Sequence, residues 1–320
     1  MRAFLRKQYW LRRAYYAVIA NPVLNANCLY KGLLTRKIRR IHERGVSPGG
    51  LSIEVTTICN AQCGFCPNHE LPAETMDLEL FKSIATQARA LGVKHLTLTG
   101  VGETLLDKRF FERLDFLREL DFDAVSFFTN GSLMDDKRAA RVIDSPVTNV
   151  IFSIDSVDPE KYWSLRKLKF DQVDRNLKAL SKRAKGRIQV SVSSVHEKGN
   201  SLEEIKAIYR RYHDSGVVDL VTFVPAHNWG MDGDPALAQV ACDYLWHNMF
   251  VRADGRMVIC CLDWRSEMVL GDLRSEPLAE VVHGKLKTTQ ETHLAGERGR
   301  IPICSRCTHI PDWWVVRHGG

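Results

Sequence analysis

The chain has 320 residues, 45% hydrophobic and 26% charged, enough to bury a sizeable core in one large domain or in a large and a small one. Its net charge of +7 is unevenly placed: residues 1–50 hold eleven Lys/Arg and one acid, Glu43, while the rest carry 34 basic and 37 acidic residues. A near-neutral body argues against nucleic-acid binding over the whole surface, and no run approaches the roughly 20 apolar residues of a membrane span. Nine cysteines, clustered in so long a chain, point to metal ligation in a reducing, cytoplasmic setting rather than to disulfides.

The opening MRAFLRKQYWLRRAYYAVIANPVL has the outline of a signal peptide. Its apolar stretch is too short and too interrupted, and no small-residue cleavage site follows. It reads as a basic, aromatic helix packed on the body with a solvated basic face. A membrane surface or an anionic partner is the alternative for that face. Cys28 is expected to be inert.

After the breaker SPGG at 47–50, strand-like runs alternate with helical patterns. The strands are expected at 51–57, 95–99, 124–129, 150–155, 188–193 and 220–225. The helical spacings fall at 78–91, 109–120, 173–180 and 202–212. Such βα units imply a parallel sheet with right-handed crossovers. Six units are too few for a closed eight-stranded barrel and suit a partial barrel or an open doubly wound sheet. Both place ligands at the C-terminal strand ends. From Pro235 the pattern changes to a helix-like stretch, a hairpin FVRADGRMVICC turning at Asp254-Gly255, a helical segment near 278–287 and a tail ICSRC. The expected domains are a basic extension at 1–50, a βα body at 51–234 and a small domain at 235–320.

Just past the first strand lies CNAQCGFC, with Cys59, Cys63 and Cys66 on one loop. A structural zinc site normally closes with four ligands. Three thiolates match an iron–sulfur cube with one iron left for another ligand.

The segment EVTTICNAQCGFCPN resembles the radical S-adenosylmethionine (SAM) superfamily, and further matches follow in order over residues 51–226. Gly100-Val101-Gly102-Glu103 is similar to the family's Gly-Gly-Glu motif, with Val in place of one glycine. Thr129-Asn130-Gly131 ends strand three. Ser153 and Asp155 end strand four, and Arg166 follows. The resemblance implies that Cys59, Cys63 and Cys66 hold a [4Fe-4S] cluster and that Phe65 lies by the SAM adenine. It places Gly102, Glu103, Asn130, Ser153 and Arg166 around SAM, the arginine suiting bidentate carboxylate recognition. His227-Asn228-Trp229 falls where members contact adenine or substrate. Singly, Gly102 reads as a turn glycine, Arg166 as a solvated helix charge and Trp229 as a core aromatic; the ordered series carries the resemblance.

Cys242, Gly255 and Cys260 form C-x12-G-x4-C, and Cys304 and Cys307 form C-x2-C. This resembles the SPASM domain in its shortened "twitch" form, particularly that of the radical SAM dehydrogenase of butirosin biosynthesis. It implies an auxiliary [4Fe-4S] cluster on Cys242, Cys260, Cys304 and Cys307. A zinc site from the same four is the alternative. If Cys242 is only a buried thiol, the cluster keeps an open corner, as in molybdopterin-type cyclases. Cys261 is either a small buried hydrophobe or a hydrogen-atom donor. Asp263 and His227 are candidate bases.

The expected fold is α/β: a partial (β/α)6 TIM-like barrel, a small C-terminal α+β twitch/SPASM-like domain and a helical extension. The expected function is reductive cleavage of SAM and removal of a hydrogen atom from a sugar or aminocyclitol-type substrate, ending in dehydrogenation or epimerisation. A flavodoxin or ferredoxin is the implied reducing partner. A peptide-modifying enzyme is the alternative, disfavoured because a 50-residue extension is short for a leader-binding domain. A non-catalytic iron–sulfur or zinc protein is the rival of another class.

Overall fold

The computed structural model describes residues 28–45, 47–196, 202–227, 229 and 241–307. Most of the basic extension and the helix-like stretch expected after Pro235 lie outside the described residues. Helix α1 (Cys28–Glu43) carries Arg40 and His42 in its last turn, where cations suit the helix dipole. Its Ile38 is fully buried, Arg39 donates to the Leu294 carbonyl at 3.4 Å, and His42 meets Trp246 edge-on. The helical part of the extension thus packs on the C-terminal segment.

The body follows as β1 (Gly50–Ile53), α2 (Leu78–Ala90), β2 (His95–Leu98), α3 (Phe110–Leu117), β3 (Ala124–Thr129), α4 (Asp136–Ile143) and β4 (Asn149–Ser153). Then come α5 (Pro159–Arg166), α6 (Phe170–Ala184), β5 (Gln189–His196), α7 (Leu202–Tyr209) and β6 (Leu220–Pro225). Strands β1 to β6 are parallel and pair in chain order. Asp77, Asp135 and Asp158 cap α2, α4 and α5 through their carboxylates, and Pro159 opens α5, so the sequence marks these starts.

The C-terminal segment holds α8 (Tyr244–His247), β7 (Asn248–Val251), β8 (Arg256–Val258), β9 (Val269–Asp272), α9 (Leu278–Val281), α10 (Lys287–Leu294) and α11 (Pro302–Ser305). Strand β7 runs parallel beside β1, and β8 and β9 follow antiparallel. The auxiliary segment is therefore joined to the barrel through one continuous nine-stranded sheet. The hairpin turn lies where expected, with Gly255 at φ +87°, a conformation glycine adopts without strain. Among the described residues no helix is long and apolar enough to cross a membrane.

One buried charge anchors the barrel near the site. Arg113 on α3 has no solvent exposure. Its Nε donates to Asp107 at 2.6 Å, and its other nitrogens donate to the Met76 and Asp77 carbonyls. Arg113→Ala leaves Asp107 buried and uncompensated, so a loss of about 3–5 kcal/mol is expected in denaturant titration. A midpoint equal to that of the parent would refute the anchoring role.

Candidate active site

The C-terminal ends of β1 to β7 and the segment after β8 surround a cavity of about 780 Å³, in the size range of small-molecule sites. Cys59, Cys63 and Cys66 line one wall, on the loop after β1. That loop hangs from the end of α5: Gln62 N–H donates to the Arg166 carbonyl at 3.0 Å, and Gly64 N–H to that of Leu165 at 3.3 Å. Asn130 holds it from β3, its amide donating to Asn60 Oδ1 at 2.9 Å. The three thiols are half-buried neighbours. Burial, then the charge of the other two thiols, pushes Cys66 up to about 11, and burial does the same for Cys59. Binding iron therefore displaces protons from all three.

The opposite wall is the loop after β2. Gly100, Val101, Gly102 and Glu103 all line the cavity. Gly102 passes so close to the segment leading from β1 into the cysteine loop that a Cβ there would lie 2.1 Å from the Thr56 carbonyl oxygen. Glu103 is buried and does not offer a free carboxylate. It accepts from Asn130 N–H at 2.6 Å, from the Thr129 hydroxyl at 2.6 Å and from Leu105 N–H at 3.2 Å. Burial raises its pKa against the pull of those donors. Glu103 and Asn130 thus position the two loops through their side chains and present backbone to the cavity.

Arg166 is buried, lines the cavity and donates from Nε to Asp155 at 2.6 Å. Asp155 also accepts from Val195 N–H at 2.8 Å, so it fixes the guanidinium from behind. Arg166 lies 5.6 Å from the Phe65 ring centre, with Nη1 3.7 Å from Cys63 Sγ. Phe65, Ser153, His227 and Trp229 complete this side. The Trp229 indole donates to the Phe65 carbonyl at 2.6 Å, tying the loop after β6 to the cysteine loop.

The wall nearest the C-terminal segment contains residues that periodicity and spacing did not single out. Glu54 and Arg252 form an ion pair at 2.9 Å, and both line the cavity. Burial raises the Glu54 pKa, and Arg252 partly offsets this. Beside them lies Cys261, an exposed cysteine that lines the cavity. Tyr244 hydrogen-bonds its sulfur and favours the thiolate. The Tyr244 hydroxyl accepts from Asn248 Nδ2 at 2.7 Å, and Asn248 also donates to Ser52 at 2.9 Å. With its acceptor side engaged by Asn248, the phenol is left to donate to sulfur.

Asp263 does not line the cavity. Its two oxygens accept from Glu267 N–H at 2.8 Å and Met268 N–H at 2.9 Å, and it is 1% exposed. Asp263, a candidate base in the sequence, shapes the turn after Cys261 through these two bonds.

Cys242, Cys260, Cys304 and Cys307 gather away from the cavity: the pKa of Cys260 is raised by burial, then by the charge of its neighbour Cys261 and by those of Cys304, Cys242 and Cys307. Cys304 and Cys307 are each 7% exposed. The Cys242 N–H donates to His293 Nδ1 at 3.2 Å. Burial, then Arg298, pushes His293 down to about 3, so its imidazole is a neutral acceptor for that bond. Among the described residues no three His, Cys, Asp or Glu side chains converge as ligands of one metal ion do.

A parallel partial barrel with a three-thiol loop, a glycine wall and a buried arginine around one cavity defines a class, enzymes that work on a sulfonium cofactor at an iron–sulfur cube. The Radical SAM superfamily pattern matches residues 53–212, half of the chain, and the chain belongs to that superfamily. It is an enzyme whose cofactors are SAM and iron–sulfur clusters. The SPASM pattern, an iron–sulfur cluster-binding domain, matches residues 242–308. GTP 3',8-cyclase of Chlorobaculum tepidum is 31% identical over 169 residues, covering 51% of this chain and 50% of that protein. The probable GTP 3',8-cyclase of Methanosarcina mazei is 29% identical over 205 residues, covering 61% and 58%. The chain thus spans about half the length of the curated relatives it matches. The structure of BtrN in complex with AdoMet and 2-DOIA is similar in fold, with TM-score 0.56 and 17% identity over 82% of this chain and 94% of that one. Streptococcus suis SuiB bound to S-adenosylmethionine has TM-score 0.62 and 13% identity over 79% and 70%.

Proposed function

We propose that this enzyme epimerises a carbon centre of a sugar or aminocyclitol-type small molecule, with Cys261 as the hydrogen donor. The observation that carries the reading is that Cys261 lines the same cavity as Cys59, Cys63 and Cys66. When bound, the cluster of Cys59, Cys63 and Cys66 with SAM supplies, by one-electron reductive cleavage of the sulfonium, a 5′-deoxyadenosyl radical that takes a hydrogen atom from the substrate. Arg166, held by Asp155, binds the SAM carboxylate. Backbone around Gly102 receives the SAM amino group, and Phe65 flanks the adenine. Cys261 then gives its hydrogen atom to the substrate carbon, forming the new C–H bond and breaking S–H. The sulfur is restored by one electron, from a flavodoxin or ferredoxin-type reductant, and one proton. Tyr244 holds the thiol toward the cavity.

Cys242, Cys260, Cys304 and Cys307 would hold the auxiliary cluster at all four corners. That supports a reading in which substrate does not ligate it, unlike an open-cornered cluster. The second reading is dehydrogenation, favoured by His227, which lines the cavity and is placed to take a proton.

The test is anaerobic reconstitution with iron counting, then dithionite and SAM. About eight irons per chain and release of 5′-deoxyadenosine are expected. Turnover of a panel of sugar nucleotides and aminocyclitols in D2O should place one deuterium at an inverted centre. In Cys261→Ala, deoxyadenosine should still form while the epimer falls below detection. A product that lacks deuterium and has lost a pair of hydrogens would replace epimerisation by dehydrogenation. Undiminished epimer from Cys261→Ala would remove the donor role.

A further inference from the structure

Arg298 lies on the turn between α10 and α11, five residues before the ICSRC tail. It is 1% exposed and one of the two largest fully buried side chains among the described residues. Its surroundings are the four thiols of the auxiliary group. It hydrogen-bonds Cys304, and it lies close enough to Cys242, Cys260 and Cys307 that their charges act on it. Burying a guanidinium is costly unless anions compensate it. Here thiolates are among the anions beside it, so its burial is better compensated when the thiols are ionised. Its own backbone is fixed as well, because the Arg298 carbonyl accepts from Ile301 N–H at 3.1 Å at the start of α11.

A cube held by four thiolates is a net anion in both oxidation states, and more so when reduced. Reduction potentials of such clusters follow net charge, hydrogen bonds to sulfur and solvent exposure. A fixed cation that also donates to a ligand sulfur stabilises the reduced state more than the oxidised one. We propose that Arg298 is a positioning residue that sets the redox poise of the auxiliary cluster, raising its potential and making it easier to reduce. The inference rests on the four-thiolate reading above and adds to it a tuning residue from outside the cysteine pattern. Two neighbours enter the same balance. His293 is neutral and adds no charge, while Asp263 sits near Cys304 and pulls the potential the other way.

The experiment isolates the auxiliary cluster in a chain carrying Cys59→Ala, Cys63→Ala and Cys66→Ala. Iron is counted and the midpoint is read by a titration followed in electron paramagnetic resonance. The parent should hold about four irons. Arg298→Gln should keep them, and at the parent's midpoint its ratio of reduced to oxidised cluster should fall about tenfold, a shift of about 59 mV to lower potential for one electron. Arg298→Lys, which keeps the charge, should stay within about twofold of the parent's ratio. If Arg298→Gln loses iron, Arg298→Met, a neutral and apolar replacement, is read in its place against the same expected shift. An unchanged midpoint in a neutral variant with full iron overturns the inference while leaving the ligand assignment intact. Absence of iron from the parent itself, or from both neutral variants and Arg298→Lys alike, overturns it too, the former taking the four-thiolate reading with it.

Discussion

Gly102→Ala is expected to cut 5′-deoxyadenosine formation about 100-fold, the scale associated with a misplacement of about 1 Å at a reacting centre. The cause is backbone against backbone. The added Cβ would fall 2.1 Å from the Thr56 oxygen, 2.8 Å from its carbonyl carbon and 2.9 Å from that of Thr57. No side chain can rotate away. Strand β1 is buried along its length and paired on both sides, so relief must come from the two loops that carry Glu103 and Cys59. Those loops are joined by the Glu103 N–H to Ile58 carbonyl bond at 2.9 Å, so moving one drags the other. Overpacking of this kind costs about 1–3 kcal/mol, which a melting curve should register as a Tm lower by several degrees. Gly284→Ala, where a Cβ meets nothing within 4 Å, is the control for stability. Wild-type SAM affinity and cleavage in Gly102→Ala would show that the close approach has no part in holding the cofactor.

The elements legible in the sequence were those whose signal is local. The runs at 124–129 and 220–225 match β3 and β6 at both ends. The first strand was expected through Thr57, yet its ladder ends at Ile53. Past that point Thr57 N–H turns to the Glu74 carbonyl at 2.9 Å and Thr56 bridges to Thr75, because the chain is opening toward the cysteine loop. Helix α5 escaped the periodicity search because Tyr162, Trp163 and Leu165 do not keep to one stripe. Its Asp158-Pro159 start was the usable signal. That β7 would lie beside β1 was not readable. The pairing is set by distant residues, and by the missing side chain of Gly50, where a Cβ would meet the Asn248 amide at 2.7 Å.

The site divides in the same way. A loop of three thiols can be seen in a string of letters because its ligands are contiguous. Gly102, Glu103, Asn130 and Arg166 could be named, but not that Glu103 and Asn130 would spend their side chains on the loops. Glu54, Arg252, Tyr244, His293 and Arg298 gave no local sign. Glu54 acts with Arg252 and His293 with Cys242, each far along the chain. Asp263 was named for its proximity to Cys260 and Cys261 in sequence, and that proximity did not reveal that its carboxylate closes a local turn.

Removing each thiol set in turn should separate the two clusters by iron, by chemistry and by stability. With Cys59, Cys63 and Cys66 changed to Ala, about four irons should remain and 5′-deoxyadenosine should vanish. With Cys260, Cys304 and Cys307 changed to Ala, about four irons should again remain, but SAM cleavage should persist while product is lost. The second variant should also be the less stable. The first set stands half-buried at the edge of a cavity, where water can replace what is removed. Cys304 and Cys307 are buried, and the three substitutions leave Arg298 with Cys242 alone of its four thiolate neighbours. Weakening the compensation of a buried charge costs up to about 3–5 kcal/mol. Adding Arg298→Met to the second variant should therefore recover part of the lost stability, although the same change should not stabilise the intact chain. Recovery in neither background would mean that the guanidinium is held by something other than the thiolates, and loss of SAM cleavage from the second variant would mean that the two groups do not have separate duties.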